Sequence, residues 1–187
     1  MVRSRQAFRE QVLADADTPA AVRRALRGGA ALESIHLDDR GRWWHEGSMF
    51  ENQKLSQLFS RSVFQTEGGV WFLQIGNQSY PITVACTGYF ADRIWAGGDQ
   101  TTLALTTGEL VDAGLAGWMT DGEERLGVRL VDGRDVRLLG AAHQAAVLLV
   151  SATEAGWKLQ LGQGDTTLLG WPDVPRGIRL TVEASEG

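Results

Sequence analysis

The chain reads as an α+β protein. N-terminal helices and an antiparallel sheet form an α/β-roll-like part, and an all-β domain of barrel or roll type follows. Three observations predict this. Apolar residues recur at helical spacing in the first third of the chain. Alternating segments between Gly- and Asp-containing turns dominate the remainder. The pattern changes near Ala96-Gly97-Gly98-Asp99, which divides the chain into an α+β domain, 1–96, and a mostly-β domain, 97–187. Hydrophobic residues at 43% and charged residues at 22% are the profile of a folded globular protein.

The first 30 residues carry helix signals. Ser4 can cap a helix with Phe8 and Val12 on one face. Thr18 offers an N-cap hydroxyl, Pro19 stands at the first helical position and Gly28 follows the last turn. Arg9, Arg23, Arg24 and Arg27 are diluted by Glu10, Asp15 and Asp17, which favours a solvated helix face over a phosphate patch.

Residues 33–46 form a predicted hairpin. A type I turn at Asp38-Asp39-Arg40, with Gly41 left-handed, pairs Asp38 with Arg42. That register sets Ile35, Leu37, Trp43 and His45 on one face. Asn52 caps a helix to Arg61 that carries Leu55, Leu58 and Phe59. A hairpin of 62–66 and 70–75 turns at Gly68-Gly69. Gly76-Asn77 then leads into a strand at 80–84, which Pro81 marks as beginning there or lying at an edge. Beyond residue 97 no helix is expected. Strands are predicted at 101–106, 125–131, 136–139, 145–150, 157–161, 166–169 and 178–182, with Asp132-Gly133 the clearest turn.

Several function classes are disfavoured. One Cys gives no intrachain disulfide, and no apolar run nears the about 18 residues of a membrane span. The net charge of −5 disfavours nucleic-acid binding through a broad basic face. Charges and glutamines interrupt the N-terminus where an export signal needs an apolar core. The expected compartment is therefore cytoplasmic.

No phosphate-binding glycine loop, nucleophile elbow or paired metal motif occurs. No cofactor and no metal are expected. His36 and His45 face each other only in a register one residue away from the preferred one. Cys86 reads as a buried strand residue and His143 as packing at a strand end. Asp38-Asp39 and Glu123-Glu124 read as solvated turn charge, so no catalytic residue is assigned.

The aromatic content carries the most information. There are seven Trp, and adjacent Trp43 and Trp44 on one strand must point to opposite faces. One is expected in the core and the other at a surface or interface. An exposed Trp beside His45-Glu46-Gly47-Ser48 makes a pocket wall or an interface anchor. The candidate ligand-binding residues are thus Trp43, Trp44, His45, Glu46 and Ser48.

The stretch from Ile35 to Val84 resembles the bacterial domain-of-unknown-function 1285 family. The likeness lies in Ile35-x-Leu37-Asp38-x-x-Gly41-x-Trp43, His45-Glu46-Gly47-Ser48 and the helix with Leu55, Leu58 and Phe59. Trp71-Phe72-Leu73 and Ile82-Thr83-Val84 complete it. Met49-Phe50 departs from a usual Pro-Ile type pair. The resemblance implies a bacterial protein with an N-terminal α+β domain and a C-terminal barrel-like one, and it implies no activity. Three readings follow, in this order: a non-catalytic small-molecule-binding or regulatory module, a protein-interaction or homodimerising module, and an enzyme with a cryptic site at His45, Glu46 and Ser48.

Overall fold

A computed structural model describes residues 5–97, 100–114, 117–121, 123–154, 156–161 and 164–170. The chain is α+β and divides into two compact units, Met1–Gly88 and Tyr89–Gly187. The N-terminal Ser4 cap, the 178–182 strand and Trp171 lie outside the described residues.

The first unit opens with helices α1 (Arg5–Ala14) and α2 (Ala20–Arg27). Val12, Val22 and Leu26 pack with Val70 and Phe72, and Phe8 and Phe64 flank them. Thr18 does not cap α2. Its hydroxyl is buried and donates to the Val12 carbonyl at 2.7 Å, tying the loop back to α1. The C-terminus of α2 ends in a Schellman motif. Ala30 N–H donates to Ala25, and Gly29 N–H, at φ 93°, donates to Leu26. Arg9 and Arg23 are not solvated surface charge. Arg9 donates to the Leu26 and Ala30 carbonyls, and Arg23 to those of Asp15 and Ala16, so both guanidiniums satisfy helix-end acceptors.

Six strands follow: β1 (Ile35–Leu37), β2 (Trp43–His45), β3 (Ser48–Met49), β4 (Val63–Gln65), β5 (Trp71–Ile75) and β6 (Gln78–Val84). Helix α3 (Gln53–Ser62) lies between β3 and β4 in sequence. The Asn52 side chain caps it by accepting from the Lys54 and Leu55 amides. The sheet order is β3-β2-β1-β6-β5-β4. Two antiparallel meanders therefore meet along one parallel pair, β1 with β6, where pure antiparallel pairing was expected.

Pro81 occupies an interior strand, which corrects the edge expectation. Counting from the Ile75–Gln78 hairpin closure, Pro81 faces Phe72 in a non-hydrogen-bonded pair. On its other side β1 joins only from Thr83 onward, so neither ladder needs the missing N–H. Cys86 lies past the end of β6 and is half-buried rather than inside a strand.

The second unit repeats the strand scheme. Its strands are β7 (Tyr89–Gly97), β8 (Gln100–Leu105), β9 (Leu110–Asp112), β10 (Trp118–Thr120), β11 (Leu126–Arg129) and β12 (Asp135–Leu138). Again two meanders meet along a parallel pair, here β7 with β12. Ala96 and Gly97, read from sequence as a linker, belong to β7.

Helix α4 (Gly140–Val147) replaces the strand expected at 145–150. Its alanines explain this, because Ala is the strongest helix former. Ala142 and Ala146, four residues apart, sit buried in the core with Trp118, Val128 and Val136. Then come β13 (Val150–Thr153), β14 (Gly156–Leu161) and β15 (Gly164–Thr167) as a three-stranded sheet. The last strand, β16 (Leu169–Gly170), pairs with β10. No closed barrel is found among the described residues. The larger sheet runs from β16 to β9, and its two end strands do not pair with each other.

One hairpin turn occurs five times among the described residues. At Asp38, Thr66, Leu105, Asp121 and Leu130, the residue's N–H donates to the carbonyl four residues on. Its own carbonyl accepts from the residue three on. This is the three-residue loop with a left-handed third position. Gly41, Gly69, Gly108 and Gly133 fill that position at four tips, and Glu124 fills it at the fifth with φ 59°.

Candidate functional site

The β1–β2 hairpin adopts the expected register. Ile35 pairs with His45, His36 with Trp44 and Leu37 with Trp43. Strand alternation then separates the candidate residues onto two faces.

Trp43 and His45 share the face covered by α3. Trp43 is 1% exposed, meets Phe59 edge-on at 5.3 Å and donates its indole N–H to Ser60 at 3.1 Å. His45 stacks on Phe50 at 6.2 Å, and its Nε2 lies 3.4 Å from Glu33. Phe50 in turn contacts Phe59 edge-on. Trp43 is thus a core residue with no access to a ligand. Glu46 and Gly47 form a two-residue turn with φ 49° and 82°, the mirror-image type that matches strand twist. They lead into β3, where Ser48 pairs with His45. Glu46 and Ser48 are exposed on this projecting hairpin. Glu46 and Ser48 thus lie on the exposed turn of this hairpin, and His45 is held between Phe50 and Glu33.

The opposite face holds Trp44. The row Thr83, His36, Trp44 and Met49 crosses four strands, β6-β1-β2-β3, through consecutive pairings. Helices α1 and α2 pack on Phe72 of β5 on this same side, and the row beyond stays open. Met49 and Thr83 are exposed, whereas His36 and Trp44 are half-buried.

The Trp44 ring is held from two sides. Its indole N–H donates to Asp38 at 3.0 Å, and the Arg42 guanidinium lies over it at 5.4 Å. Asp38 also accepts from the Arg40 and Arg42 amides and from Arg42 Nε at 2.7 Å. Burial would raise the Asp38 pKa. The hydrogen bonds from Arg42, Trp44 and Arg40 outweigh that and hold the carboxyl below its ordinary value. Asp38 is therefore the organiser of this tip and not solvated charge. His36 Nδ1 lies 2.9 Å from the Thr83 hydroxyl, across the parallel pair.

The second unit carries the matching tip. Asp121 accepts from the Glu123 and Arg125 amides, from Arg125 Nε at 2.8 Å and from Arg137 at 2.6 Å. Its pKa is also lowered. Burial raises it, and the bonds from Arg125 and Glu123 with the charge of Arg137 prevail. Glu123 and Glu124 belong to this tip, and His143 Nε2 on α4 meets the Glu124 carbonyl at 3.2 Å. His143 thus links helix to hairpin and does not pack at a strand end.

Elsewhere, an open groove of about 340 Å³ lies between α1 and the β4–β5 turn, at Gln11, Asp15, Asp17 and Gly68. Asp15 in it is buried and accepts from Thr66 at 2.5 Å. No cluster of three metal-ligating side chains occurs among the described residues. None of their helices is long and apolar enough to cross a membrane.

No family model matches the chain, and no curated protein matches it in sequence. The structure is similar to a DUF1285 family protein from Silicibacter pomeroyi DSS-3, with a TM-score of 0.58 and 15% identity over 74% of this chain and 80% of that one. The chain shares the fold of that protein. A second DUF1285 family protein, from Shewanella baltica OS155, gives a TM-score of 0.48 and 13% identity over 62% of this chain and 91% of that one. The resemblance seen in Ile35–Val84 thus extends in structure over most of the chain.

Sequence reasoning named Trp44 but missed the residues around it, which are His36, Asp38, Arg42, Met49 and Thr83. The signal for His36, Arg42 and Asp38 was present, because the predicted register already sets His36 opposite Trp44. Thr83 needed the parallel pairing, which no local pattern announces.

Proposed function

We propose that this chain is a non-catalytic interaction module that recognises a partner through the open sheet face around Trp44. One observation carries the reading: a half-exposed Trp on a rigid strand is fixed by Asp38 and Arg42 before any partner arrives. Such preorganised aromatics are the usual anchors of protein interfaces, since little side-chain freedom is lost on binding. The face lies on an open stretch of sheet with Met49 and Thr83 exposed, which favours a macromolecular partner over an enclosed small molecule. The enzyme reading draws little support from a hairpin tip on which Glu46 and Ser48 lie exposed to solvent.

The test is native mass spectrometry of the chain purified from its own host, compared with Trp44→Ala. A non-covalent partner that accompanies the wild-type chain and is lost from the variant is expected. The same partner on both proteins, or none on either, overturns the reading.

A further inference from the structure

We infer that the outer face of β7-β8-β9 is the contact between two copies of this chain, related by a two-fold axis. This face belongs to the second unit and goes beyond the Trp44 surface of the first.

Alternation defines the face. Ile94 and Val111 pack against the core, and Leu103 lies within it. Arg93, Ala104 and Leu110 form one outward row through consecutive pairings, and Trp95, Thr102 and Asp112 form the next. The apolar members lie open, with Trp95 48% and Leu110 69% exposed. Arg93 is 70% exposed and meets Asp92 at 4.0 Å, the outer limit of an ion pair. Asp112 is exposed and accepts from the Gly114 amide through Oδ1 at 2.9 Å.

The four outer residues stand at the corners of a patch about 10 Å across the strands and about 7 Å along them. Trp95 and Leu110 occupy one diagonal, and Arg93 and Asp112 the other. A two-fold axis in the contact plane along the Trp95–Leu110 diagonal sets each apolar residue against its own copy. The same rotation brings Arg93 to within about 4 Å of Asp112 of the partner subunit, inside the reach of its long side chain, and the reverse. The patch is therefore complementary to itself in both charge and polarity, which an isologous contact requires. Opposite charges at the rim fix the register of an apolar centre. A patch of three short strands buries a modest area, so the association depends on concentration.

Sedimentation velocity of the full chain across a wide concentration range tests this. The wild type is expected to pass from monomer to dimer. Arg93→Asp sets like charges against each other and is expected to weaken the dimer by about tenfold or more, and Trp95→Ala likewise. The exchange Arg93→Asp with Asp112→Arg is expected to restore the dimer, which separates a lost contact from a damaged fold. A wild type that stays monomeric overturns the inference, as does a dimer indifferent to Arg93→Asp and Trp95→Ala. Trp44→Ala is expected to dimerise as the wild type does, so either proposal can fail without the other.

Discussion

The two units share a strand scheme and an aspartate-centred hairpin tip, yet they hold that tip differently. In the first unit the Asp38 carboxylate spends its last acceptor on the Trp44 indole, and its Arg42 partner is 46% exposed. In the second the equivalent position on Asp121 goes to Arg137, whose side chain is 3% exposed. One tip presents an aromatic ring outward, whereas the other neutralises a buried cation. The shared geometry comes from the backbone. The difference in role comes from the single residue that completes the carboxylate.

Removing the carboxylates should separate the two most strongly. Asp121→Ala takes a counter-charge from a buried arginine and is expected to cost about 3 kcal/mol. Asp38→Ala loses hydrogen bonds at a solvent-facing tip and is expected to cost about 1–2 kcal/mol. Urea midpoints for the two variants measure the difference, and equal losses would break the comparison.

Acid should act on both tips together. Each carboxyl sits below its ordinary value of 3.8, so its contribution is complete above that value. It is lost as the pH falls through the lower folded value, because the unfolded chain takes up the proton first. Stability followed by urea unfolding is expected to fall below pH 3.8. The double variant Asp38→Asn with Asp121→Asn is expected to show a flatter profile there.

Exchanging the left-handed residues sharpens the comparison further. Gly41→Glu places a side chain where φ is 74° and is expected to cost about 1 kcal/mol. Glu124→Gly relieves the same strain and is expected to stabilise by up to about 1 kcal/mol, read as a rise in thermal midpoint. The smallest effect belongs to the ring contact. Arg42→Leu, which keeps the apolar stem but removes the exposed Nε bond to Asp38 along with the ring contact, is expected to cost about 0.5–1 kcal/mol and to shift Trp44 fluorescence.

Local features were legible in the sequence, and long-range ones were not. The Asp38–Gly41 turn, the Asn52 cap and the opposite facing of Trp43 and Trp44 follow from neighbours a few residues apart. The parallel pairing of β1 with β6 does not, and without it Pro81 reads as an edge residue. Helix α4 was missed for another reason. Its run of alanines carries propensity but little amphipathic contrast, so a search for apolar spacing passes over it. The site divided along the same line. Alternation set Trp43 and Trp44 on opposite faces but left open which one points outward, whereas the roles of Asp38 and Asp121 depend on side chains converging on a carboxylate from several positions.

The parallel pairs also set an order of events. Each meander closes through neighbouring hairpins, which form in microseconds. Joining the meanders brings His36 to Thr83, 47 residues apart. In the second unit it brings Tyr89 to Val136, and 136 − 89 again gives 47. Closing such a loop costs entropy before any contact returns it, so this step is the slow one. Both units thus close a loop of the same length where their meanders join.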